Sequence, residues 1–276
     1  MPLIITATDF SSVAENAVNY SCNLAMTQNA QVVIIHSFIF PVMFSDIPLP
    51  TSLINDTQKD AETKMNTVID NLHILYPKLD ISGKVIYGNI IDAIDVYSED
   101  NAAPSLVIVG NSNTIENNAW FESTLREASR NIKYPLLAVP PEAAYKPILK
   151  VCLAYDNNPK GNDIALVQLR ETAMQLNAEL HVFNAQTDVL NRDNITEIDP
   201  KFKELLAPAN PHFHFEYAVN IDDAILEFNE KNNIDLLIMI PRKHSFFEGL
   251  FHKSHTKAIA QNSPIPILML HENLEN

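Results

Sequence analysis

The sequence predicts an α/β protein of two tandem, doubly wound domains, each built on a five-stranded parallel sheet. Two local patterns support this fold class. Short apolar runs bounded by glycine or proline, such as 106–109 and 236–240, are typical of strands that are buried on both faces of a sheet. Segments with helical spacing alternate with these runs, as expected where crossover helices join parallel strands.

The third observation behind this fold class is an internal repeat. Ser123, Asn131 and Pro135 have identical counterparts at 254, 262 and 266, an offset of 131 residues, which 89–94 and 220–225 also show. Nearer the start, Ala25-Met26 and Asn29-Ala30 return at 173–174 and 177–178, an offset of 148. Two constant offsets separated by one length change indicate a duplicated domain. We therefore predict domains at 1–142 and 147–276, joined by a short linker at 143–147.

The composition is that of a globular protein with an acidic surface. The 276-residue chain is 46% hydrophobic and has a formal net charge of −15, which argues against non-specific binding to nucleic acid or anionic lipid. Its first apolar run is too short for export or for spanning a membrane, so we expect a cytoplasmic protein. Cys22 and Cys152 are typical of buried free thiols in a reducing compartment. Only 5 glycines are present, which disfavours a glycine-rich phosphate loop.

The elements follow in a regular order along both halves. Strands are predicted at 3–9, 31–36, 81–87, 106–109 and 135–139, and again at 148–156, 179–184, 212–217, 235–240 and 266–270. Helices are predicted after a cap at Ser11 or Ser12, then at 55–75, 89–99, 123–131, 163–176, 200–206 and 222–231. The apolar, proline-rich stretch 38–53 has no counterpart in the second half, and we expect it to cap a cleft or to pack on a partner surface.

Three segments together resemble the universal stress protein (UspA) family. They are Ala7-Thr8-Asp9-Phe10-Ser11 at the end of the first strand, Val107-Ile108-Val109-Gly110 in the fourth, and Tyr134-Pro135-Leu136-Leu137-Ala138-Val139 in the fifth. The resemblance covers both halves of the chain. It implies a Rossmann-like fold of the adenine-nucleotide α-hydrolase type, pseudo-two-fold packing of the two domains, partly through their last strands, and assembly as a homodimer.

The resemblance also implies a nucleotide site in the first domain, for ATP or another adenine nucleotide. Family members that bind ATP place an Asp after strand one and a Gly-x-x-Gly-(nine residues)-Gly-Ser/Thr motif after strand four. The matching residues here are Asp9, Gly110, Asn113, Ser123 and Thr124, with Ala7 and Ser37 beside them. Asn tolerates the positive φ that costs most L-residues about 1–2 kcal/mol. Ser123, in contrast, adds a side chain where the backbone must approach a phosphate.

The second domain departs further from the same motif. Asp156 matches the Asp, but the remaining positions hold Pro241, His244, Ser254 and His255. Proline has no N–H to donate, and each lost hydrogen bond to a charged group is worth about 1.5–3 kcal/mol. We therefore predict no ATP binding by the family route in this half.

Each candidate carboxylate also has a plain structural interpretation. Asp9 and Asp156 could accept a hydrogen bond from an adenine amino group, or could cap the following helix. Both interpretations stay open for Asp9, whereas capping is favoured for Asp156 because its motif is lost. His36 could line the cleft, although a single histidine at a strand end is more often a packing residue.

The segment 241–257 is basic and aromatic in an otherwise acidic chain. Arg242, Lys243, His244, Ser254 and His255 could bind an anion through side chains at a helix N-terminus. A metal site at His244, His252 and His255 is disfavoured, since no carboxylate or thiol joins them at suitable spacing. We favour a surface loop whose aromatic residues pack on 38–53 or on a neighbouring subunit, with anion binding second.

No arrangement of nucleophile and base is visible in the sequence. We therefore predict a ligand- or partner-binding module of a stress response without dedicated catalysis. The alternative is an adenine-nucleotide-binding protein with at most slow ATPase activity, confined to the first domain. A third possibility is a purely structural dimer module, for which the apolar stretch 38–53 is the motive.

Overall fold

A computed structural model describes residues 1–39, 51–111, 132–155, 163–186, 198–240, 259 and 262–270, with backbone alone at 51–54. The chain divides into two compact units, Met1–Tyr134 and Pro135–Asn276. The stretch 40–50, most of the segment after Gly110 and the basic segment 241–257 lie outside the described residues. The predictions for those segments are therefore not tested by the fold.

The first unit is a parallel sheet whose strands are joined by helices. Its elements are β1 Leu3–Ala7, α1 Ser12–Gln28, β2 Gln31–Phe38, α2 Thr51–Leu75, β3 Ile81–Tyr87, α3 Ile90–Asp100 and β4 Leu106–Gly110. The strands lie in the order β3-β2-β1-β4, with each neighbouring pair parallel. Every side chain of β1 is buried, as expected for a central strand that is covered on both faces.

The second unit repeats this arrangement. Its elements are β5 Leu136–Val139, β6 Lys150–Ala154, α4 Asp163–Leu176, β7 Glu179–Gln186, α5 Pro200–Leu206, β8 His212–Tyr217, α6 Ile221–Asn232, β9 Leu236–Met239 and β10 Ile267–Met269. The strand order is β5-β10-β9-β6-β7-β8. All neighbours are parallel except β5, which runs antiparallel to β10.

The predicted fold class is confirmed, with one refinement. The second unit contains the complete five-stranded parallel sheet, β10-β9-β6-β7-β8. In the first unit four parallel strands are described, because β5, the fifth strand of the first sequence repeat, is counted with the second unit. The repeat boundaries at 142 and 147 stay a prediction.

Equivalent residues begin and end equivalent helices, which gives the repeat a physical basis. Asn29 ends α1 and Asn177 follows α4, and both adopt the left-handed conformation, at φ 50° and 51°. Asparagine is among the residues that tolerate this region. Asn89 and Asn220 are the N-caps of α3 and α6, and each side chain accepts a hydrogen bond from a first-turn amide.

Two smaller expectations are met in the described residues. Ser11, rather than Ser12, is the N-cap of α1, where its side chain accepts from the amide of Ala14. Cys22 and Cys152 are buried free thiols, and burial raises the pKa of Cys22 to about 12. In the parts of the chain that are described, no helix is both long enough and apolar enough to cross a membrane.

Candidate functional site

The first-domain candidates that are described lie at the carboxyl ends of β1, β2 and β4. Ala7 and Ser37 are buried at the ends of the first two strands, and Asp9 is half-buried just beyond β1. Gly110 ends β4, which pairs with β1. Because ligands of open parallel sheets bind outside the carboxyl ends of the strands, the fold brings these four residues to the expected edge.

Asp9 is held within the loop that leads into α1. Its Oδ1 accepts a hydrogen bond from the backbone amide of Ser11, at 2.9 Å. Thr8 does the same for the amide of Phe10, at 3.0 Å, and Ser11 for that of Ala14. This contact orders the loop before α1 but does not cap the helix, because Ser11 is the N-cap and the amide bound by Asp9 is that of Ser11 itself. Since an ionised carboxylate has about four acceptor sites, one such contact leaves capacity for a ligand.

Phe10 occupies an unusual backbone conformation at the same edge. Its φ is 64°, in the left-handed region, which costs a residue with a bulky side chain about 1–2 kcal/mol. The ring packs against the imidazole of His36, with centroids 4.4 Å apart, and the ammonium of Lys64 lies 5.9 Å from the ring centroid. These contacts hold the strained residue in place.

His36 makes the contacts of a packing residue. Its Nδ1 lies 2.8 Å from the carbonyl oxygen of Thr8, so the N–H donates across from β2 to the end of β1. Burial lowers the pKa of His36, while the hydrogen bond to Thr8 and the charge of Asp9 act in the opposite direction. The imidazole therefore supports the loop that carries Asp9, and its lowered pKa favours the neutral ring.

Gly110 has a packing reason for being glycine. A Cβ built on it would lie 2.8 Å from the carbonyl oxygen of Val13, in the first turn of α1, and 3.0 Å from a Val13 methyl group. The next residue, Asn111, is fully buried. Close approach of β4 to α1 thus explains the glycine without any ligand.

The corresponding edge of the second unit is filled by aromatic side chains. Tyr155 follows β6 as Thr8 follows β1; it is buried, and its ring stacks on Phe202 with centroids 4.1 Å apart. The first strands pair with Leu106 and Leu236 at equivalent register positions. Four positions further on, Gly110 therefore corresponds to buried Ile240 and not to Pro241, the residue that motif counting selected.

The remaining candidates lie outside the described residues. They are Asn113, Ser123 and Thr124 of the first domain, Asp156, and the anion-site candidates Arg242, Lys243, His244, Ser254 and His255. Their roles stay predictions. Among the described His, Cys, Asp and Glu side chains, no three are grouped closely enough to hold a metal ion.

Two groups of polar residues in the second unit escaped the sequence reasoning. Asp235 is buried before β9 and accepts hydrogen bonds from the amides of Leu149 and Lys150. His181, His212 and His214, here called the histidine cluster, lie together on β7 and β8. The alternation His212-x-His214 within a strand was the available signal, because alternate residues share one face of a sheet.

Comparison with known proteins agrees with the fold described above. Residues 147–271 match the model of the universal stress protein family. The second half of the chain is therefore a universal stress protein domain. The resemblance seen in the sequence is thereby confirmed. No curated protein matches the chain.

Solved structures extend the likeness of fold over both halves. A universal stress protein from Archaeoglobus fulgidus DSM 4304 is similar with a TM-score of 0.70 and 17% identity, and 98% of each chain is covered. A functionally unknown protein from Pseudomonas aeruginosa PAO1 is similar with a TM-score of 0.56 and 12% identity, over 99% of this chain and 93% of its own. This coverage is consistent with a tandem arrangement of two universal stress protein folds.

Proposed function

We propose that this universal stress protein is a ligand- or partner-binding module of a stress response, without dedicated catalysis, and that its ligand site lies at the carboxyl edge of the first sheet. The contrast between the two edges carries the proposal. At the first edge the short polar side chains of Thr8 and Ser37 are buried and that of Asp9 is half-buried, whereas in the second Tyr155 stands in place of Thr8 and packs on Phe202. Short side chains leave room for a ligand at the edge where such sheets bind one.

The contacts at the first edge support binding rather than catalysis. General acid–base chemistry needs a titratable group that can reach the substrate. His36 commits its Nδ1–H to the carbonyl of Thr8, and its ring packs against Phe10. Ser11 uses its hydroxyl oxygen to accept a helix amide. His36 and Ser11, two side chains at this edge that could act as base or nucleophile, are thus used to hold the loop.

The second candidate function is adenine-nucleotide binding with at most slow ATPase activity, confined to the first unit. The retained pair Asp9 and Gly110, on the adjacent strands β1 and β4, favours it. Asp9 keeps acceptor capacity beyond its contact with Ser11. An adenine amino group is a donor of the kind that such a carboxylate would accept.

Calorimetric titration of the full chain with ATP and Mg²⁺ separates the two functions. Under the nucleotide-binding alternative, binding is saturable, is abolished in Asp9→Ala and persists in Asp80→Ala, a variant of an exposed carboxylate before β3. Asp9→Asn is the second control, since its amide oxygen can still accept from Ser11 while the charge is lost. Absence of heat in all four proteins favours a different ligand or a partner.

Native mass spectrometry of freshly purified protein identifies any small molecule that stays bound. A carried nucleotide that disappears in Asp9→Ala supports the first edge as its site. Binding that survives Asp9→Ala, or rapid phosphate release that depends on Asp9, contradicts the proposed location or the absence of catalysis, respectively. We also propose a cytoplasmic homodimer, which light scattering and cell fractionation test.

A further inference from the structure

Three imidazoles meet on one face of the second sheet. In the register of β7 and β8, His181 lies opposite His212, and His214 follows two positions later on the same face. The ring centroid of His181 is 5.4 Å from that of His212 and 5.2 Å from that of His214. Nδ1 of His181 and Nε2 of His214 are 3.1 Å apart, within hydrogen-bonding distance.

An aromatic ring packs against the histidine cluster, and charged residues also lie near it. His181 is only 7% exposed, and the ring of Phe228 on α6 packs against both His181 and His214. The other charged residues that act on the imidazoles are Lys150 of β6 and Glu179 of β7. The charged side chains of α6 near Phe228 are Glu227, Glu230 and Lys231; they lie on its exposed side, and Glu216 is exposed further along β8.

One hydrogen bond joins the imidazoles of His181 and His214 when both are neutral. Nδ1 of His181 and Nε2 of His214 are 3.1 Å apart, so one ring donates its N–H and the other accepts it. Nε2 of His181 is buried and makes no hydrogen bond, and the nearby carboxylate oxygen of Glu179 is 3.6 Å away.

An added proton on the cluster is opposed by burial and by nearby positive groups. A charge on His181 or His214 would lie beside a second imidazole in a mostly buried site, where desolvation is costly. The ammonium of Lys150, which is 3.8 Å from Glu179, repels it further, and the carboxylate that could balance it is largely exposed. Since no three of the described ligand-type side chains can hold a metal, proton exchange is the chemistry that these imidazoles share.

We propose that the histidine cluster is a proton-sensitive latch that holds strand β8 on the sheet at neutral pH and weakens as the pH falls below about 6.5. Within the described sheet, β8 is the terminal strand and pairs with β7 alone. The contacts from His214 to His181 and to Phe228 are therefore part of what keeps it in place. Edge elements with few neighbours open first in native proteins.

The direction of the effect follows from linkage. Burial lowers the pKa of His181 and of His214, and neighbouring imidazoles lower each further. The folded pKa values therefore lie below the unfolded value of about 6.5. Above that pH both states are neutral and stability is constant; below it the unfolded or opened state binds more protons, so stability falls.

The first unit provides a matched internal control. Its positions equivalent to His181, His212 and His214 are Val33, Ser82 and Lys84, which have no imidazole. Hydrogen exchange of the full chain, corrected for the intrinsic rate with unfolded protein, compares β8 with β3 at pH 7.5 and 5.5. We expect protection of β8 to fall about tenfold at pH 5.5. If a histidine stays neutral in the closed state, each pH unit below 6.5 raises the equilibrium constant for opening about tenfold. Protection of β3 should change less than about twofold.

Two variants assign the effect to the cluster. His181→Val introduces the residue of the other repeat and should remove most of the acid-induced loss of protection in β8. His36→Asn, which changes the half-buried histidine of the first unit to the residue type of its counterpart Asn184, should leave that loss intact. If His181→Val does not fold, His212→Ser, at an exposed position, should reduce the loss. Equal loss in β3 and β8, or a full loss in His181→Val, would overturn the proposal, as would imidazole signals of His181 and His214 that titrate at or above pH 6.5.

Discussion

The two sheets can be compared at the junction between their first and second strands. In the first unit the imidazole of His36 donates to the carbonyl of Thr8, at 2.8 Å; in the second the amide of Asn184 donates to the carbonyl of Tyr155, at 2.6 Å. His36 and Asn184 are 148 residues apart in the sequence, and Thr8 and Tyr155 are 147 apart. Different side chains thus satisfy the same buried backbone group, which explains why simple identity between the repeats is low here.

A similar exchange occurs at the start of the fourth strand. In the first unit Ser105 donates its hydroxyl to the carbonyl of Leu3. In the second unit Asp235, at the equivalent place, accepts from the amides of Leu149 and Lys150 and from the ammonium of Lys146. The polarity of the contact is reversed, yet both residues tie the fourth strand to the start of the first.

The difference between the units teaches which features a duplicated fold retains. Polar groups that satisfy the backbone are kept in function even where the residue changes, because an unpaired buried backbone group is costly. Side chains at the carboxyl edge and on the terminal strand β8 have changed in kind as well. They have diverged from Thr8 and Gly110 to Tyr155 and Ile240, and the second unit has gained the histidine cluster.

The largest expected effect is at Asp235. Asp235→Ala leaves the part-buried amides of Leu149 and Lys150 and the ammonium of Lys146 without their acceptor, and we expect it to lower the free energy of unfolding by about 3 kcal/mol. Ser105→Ala, the matched change in the first unit, should cost about 1 kcal/mol or less. Urea unfolding at pH 7 measures both. Equal losses would contradict the comparison.

The same carboxylate predicts a dependence on pH. Burial opposes ionisation of Asp235, but the hydrogen bonds from Lys146, Leu149 and Lys150 outweigh it, so its pKa is lowered. Its contribution to stability is therefore complete above the unfolded pKa of about 4 and is lost as the pH falls through the folded value. Stability of the native protein and of Asp235→Ala should converge in acid. A constant difference between pH 7 and 3 would refute this account.

Glycine substitutions test whether Gly110 is a packing residue. A Cβ at Gly110 meets the backbone of Val13, so we expect Gly110→Ala to cost about 2 kcal/mol. Gly83→Ala is the comparison variant in which a side chain and not the backbone obstructs the Cβ, since it would lie 2.5 Å from Cγ and 2.6 Å from Sδ of buried Met65. Thermal unfolding should show a clear loss for Gly110→Ala. A neutral effect there would leave ligand binding as the reason for the glycine.

Exchange of the bridging residues sharpens the comparison of the two junctions. His36→Ala and Asn184→Ala each remove the donor to a carbonyl at the end of the first strand and should cost about 1–2 kcal/mol. His36→Asn should recover part of this loss, because the amide is the donor that the second unit uses. Chemical unfolding measures the recovery. A loss in His36→Asn as large as in His36→Ala would show that an asparagine at position 36 does not replace the hydrogen bond to Thr8.

The smallest and most symmetrical effect is expected at the helix caps. Asn89→Ala and Asn220→Ala each remove a side chain that accepts from a first-turn amide, and each should cost about 1 kcal/mol. The two losses should agree within about 0.5 kcal/mol. Replacement by Ser, another good N-cap, should restore most of the stability in both units.

The fold was predictable because its signals are local. Buried runs such as 106–109, the breakers that bound them and the paired asparagines at 89 and 220 are each readable in the sequence. Element boundaries shifted by a few residues, for example from 55–75 to Thr51–Leu75 in α2.

The site was less predictable because it depends on register. Tyr155 could not be seen to fill the second edge, nor Ile240 to replace Gly110, until the strands were aligned. The histidine cluster needs β7 beside β8, 33 residues apart along the chain between His181 and His214. In the sequence Asp235 is the first residue of a predicted strand. Only the tertiary fold shows that its carboxylate accepts hydrogen bonds from the amides of Leu149 and Lys150.

The antiparallel contact between β5 and β10 bears on how the chain can be divided. A fragment that begins at 147 would contain all five parallel strands but would leave β10 without its antiparallel neighbour. The main-chain donors and acceptors along Ile267–Met269 would then lack a partner strand. This exposed edge of β10 is complementary to the same edge of a second copy. Such a fragment should form a dimer, in which an intermolecular contact between two copies of β10 replaces the β5–β10 pairing within one chain.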